Sequence, residues 1–266
     1  MSYGNRRERR KIHLYVYADA PWVPVASIDA EAAELVETDP TQAERFFGNR
    51  LVQGLGSFMP ESLWDGATTG EPSDDVRVTV GLDGSRSSDW TALRCETFDG
   101  YRFTPTYGPD ARPTFWDPAQ WPDGRIPRGE VSAAVAEVFS RYKVARMYVD
   151  PRYFETQVEA WASEYGDEVV LQWATNRVTQ MFEALVRYRE DLAEKVTRHG
   201  DDPTMKLHAL AARRIAKPGD RFILGKPSEN QKIDLVMADV LAHEAAADQR
   251  AVGWSTAESK LIFFTR

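Results

Sequence analysis

Val78-Thr79-Val80-Gly81-Leu82-Asp83-Gly84-Ser85-Arg86-Ser87-Ser88-Asp89-Trp90-Thr91-Ala92 is the stretch on which the fold of this chain turns. Val76, Val78, Val80 and Leu82 alternate with Arg77, Thr79 and Gly81, the period of a half-buried strand. Asp83 arrives where that strand should end, and Gly84-Ser85 lets the backbone turn sharply beside its carboxylate. Strand character resumes over Thr91–Phe98. Asp83 then has two readings. It simply opens a turn, or it is a carboxylate presented by a strand end as a metal ligand. The stretch alone does not separate them, so other carboxylates in related positions decide.

Working outward, strands are expected over 76–83, 91–98 and 101–107. The Pro-rich run 108–128 reads as a long loop. Val131, Val135, Val138, Phe139 and Tyr142 recur at helical spacing, so 129–143 reads as an amphipathic helix. Val144–Asp150 is a short apolar strand ending in Asp150-Pro151. A helix over 154–165 with Gly166 as its stop, a strand over 169–175 and a long helix from Val178 follow. Gly200 breaks that helix; it resumes over 203–216, before a short strand, Arg221–Gly225. Glu229 to about Asp248 is the last long helix. A meander followed by alternating strands and helices predicts an α/β domain, a mixed central β-sheet with helices on both faces.

Upstream, His13–Tyr17 and Trp22–Ala26 carry β-rich text broken by Pro21 and Pro24. Asp29–Val36 reads as a short helix capped by Asp29, and a second helix is expected to start at Asp39-Pro40-Thr41 and run to about Val52. The repeated Gly and Pro of 53–75 read as a linker. This gives an N-terminal segment 1–52, a linker 53–75, a main domain 76–250 and a tail 251–266, in which Leu261–Phe264 is a final strand or a docking segment.

Composition bounds the function. The chain has 266 residues and eight Trp, enough for a sizeable core. One cysteine, Cys95, excludes a disulfide framework and a multi-Cys zinc site, and reads as a small core residue on the second strand. The basic N-terminus lacks a following apolar run, so it is not read as a secretory signal. No apolar run approaches the roughly 18 residues of a membrane span, and the chain reads as cytoplasmic. The formal charge of −8 counts against a high-affinity nucleic-acid binder. Metal ions neutralising an acidic site, or another module holding the nucleic acid, would reconcile it. No G-x-x-x-x-G-K-[ST] and no G-x-S-x-G occurs. Gly54–Met59 fails G-x-G-x-x-G at its last position. His13, His199, His208 and His243 lack zinc spacing and read as surface or packing residues.

Two further carboxylates bear on Asp83. Asp150 closes an apolar strand after a helix, where the carboxyl ends of central parallel strands line crevices; the alternative is an ordinary turn into Pro151. Asp234 lies on the flank of the last helix's apolar stripe, stacked with Ala238 and Ala245, small residues that let this flank approach a sheet. It is a solvated boundary residue or a carboxylate that is paired or holds a metal, because burying it bare is costly. Together the three can converge at one end of the sheet, and carboxylate oxygens suit Mg²⁺ or Mn²⁺. Two ions roughly 3.5–4 Å apart would serve phosphodiester hydrolysis. Asp89, Glu96 and Asp239 are weaker candidates for a fourth ligand. Asp239 is expected to point away from the stripe and be solvated.

The stretches Val80–Ala92, Met147–Pro151, His199–His208 and Gln231–Ala238, in this order, resemble the C-terminal nuclease half of tailed-phage terminase large subunits. Asp39–Asn49 resembles the link that follows that family's ATPase. The resemblance covers roughly residues 35–250. It implies an RNase H-like fold and a two-metal DNA endonuclease that cuts concatemeric viral DNA during packaging. It places the catalytic acids at Asp83, Asp150 and Asp234. It further implies double-stranded DNA, the terminase small subunit, the portal and an ATPase motor as partners. The motor is the departure: residues 1–35 are expected to be at most its last strands. Competing expectations are another RNase H-like enzyme, such as a junction resolvase or transposase, and a non-catalytic module that docks on the portal or motor.

Overall fold

The computed structural model describes residues 3–38, 40–49, 56–64, 71–85, 89–228 and 231–254. The chain divides into two compact units between Ser57 and Phe58.

The first unit holds three helices, α1 (Arg6–Val16), α2 (Val25–Thr38) and α3 (Pro40–Phe47). The strands expected from 12–28 are therefore absent. Asn5 caps α1, its Oδ1 accepting from the backbone N–H of Arg7 at 3.0 Å and of Glu8 at 3.3 Å. Arg9, Ile12 and His13 then fall on one buried face at helical spacing. The cap and this face override the β-propensity of the Tyr-Val-Tyr text. Pro24 interrupts no strand but leads into α2, its carbonyl accepting from Ser27 N–H at 2.9 Å. Asp29 is not the cap; it lies inside α2, hydrogen-bonded to His13 Nδ1 at 2.6 Å and paired with Arg10. α3 begins at Pro40 as expected but ends at Phe47. Leu51, Val52 and Gly54–Leu55 lie outside the described residues.

The second unit contains β1 (Arg77–Asp83), β2 (Thr91–Thr97), β3 (Tyr101–Phe103), β4 (Thr106–Tyr107), β5 (Arg112–Pro113), β6 (Phe115–Trp116), β7 (Lys143–Val149), β8 (Val170–Gln172), β9 (Arg198–His199), β10 (Arg213–Lys217) and β11 (Arg221–Gly225). Its helices are α4 (Glu61–Trp64), α5 (Arg128–Arg141), α6 (Glu155–Tyr165), α7 (Val178–Ala193), α8 (Pro203–Ala211) and α9 (Asp234–Ala251). The central sheet runs β8-β7-β1-β2-β3-β9, with β6 also on β2. β1 pairs antiparallel with β2, Val80 facing Cys95, and parallel with β7, Leu82 facing Val149. β8 continues the parallel half. The sheet is mixed, as expected.

β1 differs from its expectation in one respect: both of its faces are covered. Val78, Val80 and Leu82 enter an apolar layer with Val131, Val135 and Val138 of α5 and Val158 and Trp161 of α6. Burying each such side chain contributes roughly 1.5–3 kcal/mol. Thr79 and Gly81 face α9. Thr79 Oγ1 donates to the Ala242 carbonyl at 2.8 Å. A Cβ on Gly81 would lie 2.0 Å from the Ala238 oxygen and 2.3 Å from the Ala242 nitrogen. The alternation thus marks where a helix must come close, with water excluded on both sides. Ala238 and Ala245 are fully buried on this face with Leu185 and Tyr188 of α7, so the close approach expected of the small residues is observed. Cys95 is buried on β2, also as expected.

Four sequence assignments need correction here. Phe58, Met59 and Trp64, within the expected linker, are core residues of this unit, and Trp64 stacks on His199 with ring centroids 4.0 Å apart. The expected loop 108–128 supplies β5, β6 and a buried Trp116. The helix expected over 203–216 stops at Ala211, and 213–217 forms a hairpin with β11, Ile215 facing Ile223. α9 begins at Asp234, five residues later than Glu229, which lies outside the described residues together with the tail from 255 onward. Among the described residues no helix is long and apolar enough to cross a membrane.

Candidate metal centre

The topology brings two strand ends together. Asp83 is the last residue of β1, and Asp150 follows β7, the neighbouring parallel strand, its N–H donating to the Leu82 carbonyl at 3.0 Å. Alternation turns Asp83 to the face where α9 lies, and Asp234 is the first residue of α9. Asp89 precedes β2, the antiparallel neighbour on the other side. Asp83, Asp89, Asp150 and Asp234 line one cleft of about 390 Å³, open to solvent, with Gly84, Thr175 and Lys226. Residues Arg86, Ser87 and Ser88 of the connecting turn lie outside the described residues.

Each carboxylate has a distinct environment. Burial pushes the Asp83 carboxyl well above the ordinary carboxylate range, and the charges of Asp234, Asp150 and Asp89 push it further. Asp234 is 7% exposed, and its carboxyl is raised to about 6, by burial first and by Asp89 second. Its own backbone hydrogen bond, Lys232 and Lys226 oppose that rise. Asp150 accepts from Thr175 Oγ1 at 2.5 Å and from the Arg152 N–H at 3.3 Å. Asp89 Oδ1 accepts from Lys226 Nζ at 2.6 Å and Lys232 Nζ at 2.9 Å. Burial would raise the Asp89 carboxyl, but these two hydrogen bonds outweigh it and hold it below the usual range. Two acids forced upward by burial and like charge, beside a third held by hydrogen bonds, are an arrangement that burial does not reward and that a cation relieves.

The donor set fits a hard divalent ion: every candidate ligand is a carboxylate oxygen. Among the described residues no group of three or more His, Cys, Asp or Glu side chains is already set at metal-binding geometry. Asp150 is hydrogen-bonded to Thr175 and Asp89 to the two lysines.

The remaining two candidates sit elsewhere. Asp239 is fully buried; its Oδ1 accepts from Arg94 Nε at 2.8 Å, and its Oδ2 from Arg102 Nη1 at 2.9 Å and Tyr188 OH at 2.7 Å. The expectation of a solvated Asp239 is overturned because α9 is covered by α7 as well as by the sheet, so the side opposite one apolar stripe is interior too. Burial alone would raise its carboxyl, but Arg94 and Arg102 hold it below the usual range. Glu96 is likewise buried, hydrogen-bonded to His243 Nδ1 at 2.7 Å and Arg250 Nη2 at 2.5 Å. Neither lines the cleft. The histidines pack, as expected: His208 Nδ1 accepts from the Leu235 N–H at 3.2 Å, and burial lowers its ring to about 4. Sequence reasoning missed Lys226, Lys232 and Thr175. Both lysines precede the Asp-bearing helix, at the two ends of the β11–α9 connection, and no local pattern ties them to Asp89.

Sheet order and helix placement define the RNase H-like fold class. More narrowly, the chain has the fold of terminase large-subunit nuclease domains. It superposes on the large terminase of bacteriophage HK97 with a TM-score of 0.55 at 19% identity, over 90% of this chain and 54% of that one. The nuclease of the large terminase from thermophilic phage G20c with bound magnesium gives 0.54 at 10% identity, over 72% of this chain and 98% of that one. The nuclease domain of the Thermus phage P74-26 large terminase gives 0.50 at 9% identity. By sequence, the Gene 13 proteins of mycobacteriophages D29 and L5 are 26% and 25% identical over 261 aligned positions. The alignment takes in 88% of this chain and 42% of each relative, so the chain spans less than half the length of these curated relatives. No protein-family model matches the chain.

Proposed function

We propose that this chain is the nuclease part of a phage packaging terminase, a divalent-metal endonuclease that cuts double-stranded DNA. The observation that carries the reading is that Asp83, Asp150 and Asp234, from three separate elements, line one cleft in this fold. The G20c nuclease, which shares the fold, has been crystallised with magnesium and with cobalt.

In this reading Asp83, Asp150 and Asp234 hold two Mg²⁺ or Mn²⁺ ions, and Asp89 is the fourth candidate ligand. Bound there, the ions supply an activated water and stabilise the departing 3′-oxygen. The chain's own residues set the stage. Asp83 is aimed by the β1 end, and Gly84, where a Cβ would lie 2.5 Å from Thr91 Oγ1, lets the backbone turn there. Thr175 and the Arg152 N–H orient Asp150. The first turn of α9 favours a carboxylate at Asp234. Residues 1–52, whose described part carries α1, α2 and α3, adjoin the ATPase part in this reading, and the motor, portal and small subunit are partners in the host cytoplasm.

The net charge of −8 favours a second reading, a module that docks on the portal or motor and cuts nothing. Supercoiled plasmid separates the two. The nuclease reading expects nicking and linearisation in Mn²⁺, loss of both in EDTA, and no ATP hydrolysis. Intact plasmid in Mn²⁺ favours docking, and cleavage that survives chelation removes the metal from the mechanism.

A further inference from the structure

Two lysines meet on Asp89. Lys226 follows β11 and Lys232 stands two residues before Asp234, so both come from the ends of one connection. They converge on a single oxygen, Asp89 Oδ1, at 2.6 and 2.9 Å. All three side chains stay partly open to water, at 24%, 19% and 33% exposure, so the pairs can exchange without unfolding their surroundings. Asp89 shares the cleft with three other acids, and its charge raises the carboxyls of Asp83 and Asp234. A carboxylate lining a candidate metal cleft, yet neutralised by two ammonium groups, is withheld from any cation there.

We propose that Lys226 and Lys232 are exchangeable counter-ions of Asp89, which move to backbone phosphates when DNA enters the cleft and release Asp89 to the metal. This rests on the nuclease reading above and assigns the lysines as positioning residues. The exchange conserves charge pairing: two ammonium–carboxylate contacts become two ammonium–phosphate contacts, and the freed carboxylate meets a cation. It follows that DNA and metal bind cooperatively, each raising the affinity for the other by the same factor. The same exchange reconciles the acidic cleft with a polyanionic substrate, because the lysines supply positive charge where the phosphates arrive.

The test measures binding of a short phosphorothioate duplex across a salt series, with and without Ca²⁺, alongside calorimetric Ca²⁺ titration. The wild-type chain, Lys226→Gln/Lys232→Gln, Lys226→Arg/Lys232→Arg and Asp89→Asn are compared. Two phosphate contacts made by the lysines predict that the Gln pair lowers the salt slope of log affinity by about two. The Arg pair should restore it. Wild-type duplex affinity should rise about tenfold with Ca²⁺, within the usual range of coupled sites, and the Gln pair should lose most of that coupling. Asp89→Asn keeps both lysines but removes the carboxylate charge they meet in the cleft, so it should bind duplex more tightly than wild type without metal. It also guards against a Gln pair that does not fold. An unchanged salt slope in the Gln pair, or Asp89→Asn binding no tighter than wild type, overturns the exchange while leaving the nuclease reading standing. A wild-type chain that binds no divalent ion overturns the nuclease reading, and the release of Asp89 with it.

Discussion

Neutralising Asp234 should stabilise the metal-free chain. Its carboxyl is raised from an ordinary 3.8 to about 6, chiefly by burial. At about 1.36 kcal/mol per unit, the charged form costs the fold on the order of 3 kcal/mol. The sign follows from proton counting. Between pH 3.8 and about 6 the folded chain holds a proton that the unfolded chain has released. Stability from this group is therefore greatest at low pH, falls as pH rises through that window, and stays low above it. Asp234→Asn removes the charge but keeps the shape. It forfeits a favourable helix N-terminal charge worth roughly 0.3–1 kcal/mol. The expected net gain at pH 7.5 is about 2 kcal/mol, or roughly 4–8 °C in the melting transition of the sheet-bearing unit. At pH 4 the gain should shrink towards zero. Mn²⁺ at about 100 times its dissociation constant should stabilise the wild type by about 2.7 kcal/mol, and the variant by less. Thermal melts at both pH values, in EDTA and in Mn²⁺, read all of this. A variant that melts below wild type in EDTA at pH 7.5, with Mn²⁺ shifting both equally, refutes the idea that these carboxylates share one metal site.

Asp83→Asn and Asp150→Asn should each abolish plasmid cleavage with an unchanged circular dichroism spectrum, and full activity in either removes that residue from the site. Thr175→Val, which frees Asp150 from its hydroxyl partner, should lower the cleavage rate by roughly 10–100-fold, the usual cost of an outer-shell partner; an unaltered rate means Asp150 is oriented by other groups. Asp239→Ala leaves Arg94 and Arg102 buried without their carboxylate and should cost about 3–5 kcal/mol in urea denaturation, so near-wild-type stability would mean the guanidiniums find other partners. Gly81→Ala drives a methyl into the Ala238–Ala242 backbone and should cost about 1–3 kcal/mol or more, measured in the same way, with a neutral effect showing that α9 can retreat from the sheet.

Much of the central sheet was legible because its signals are local. The β1 alternation, the Asp83-Gly84 stop and the apolar run ending at Asp150 are short-range patterns, and the parallel pairing of β1 and β7 then brings the two strand ends side by side. Asp234 was legible by its small neighbours, even though its helix starts later than the apolar stripe suggested. Asp239 was not legible, because one stripe implies one buried side, whereas α9 is enclosed by the sheet and α7 together. Its partners Arg94 and Arg102 stand on strands distant in sequence, and no local pattern announces such a pairing. The N-terminal helices and the β10–β11 hairpin fail for opposite reasons. In α1 the Asn5 cap and helical burial overrule β-rich residues, while in β10 the pairing of Arg213–Lys217 with β11 overrules an apparent helix continuation. Lys226 and Lys232 acquire meaning only once Asp89 is seen between them.

The account stands most directly on where a divalent ion goes. Crystals of the chain soaked in Mn²⁺ and measured at the manganese edge would locate it by anomalous scattering. The account predicts density in the cleft bounded by Asp83, Asp150 and Asp234, and its loss in Asp83→Asn. A cleft without anomalous density at saturating Mn²⁺, or density that persists unchanged in Asp83→Asn, would contradict it.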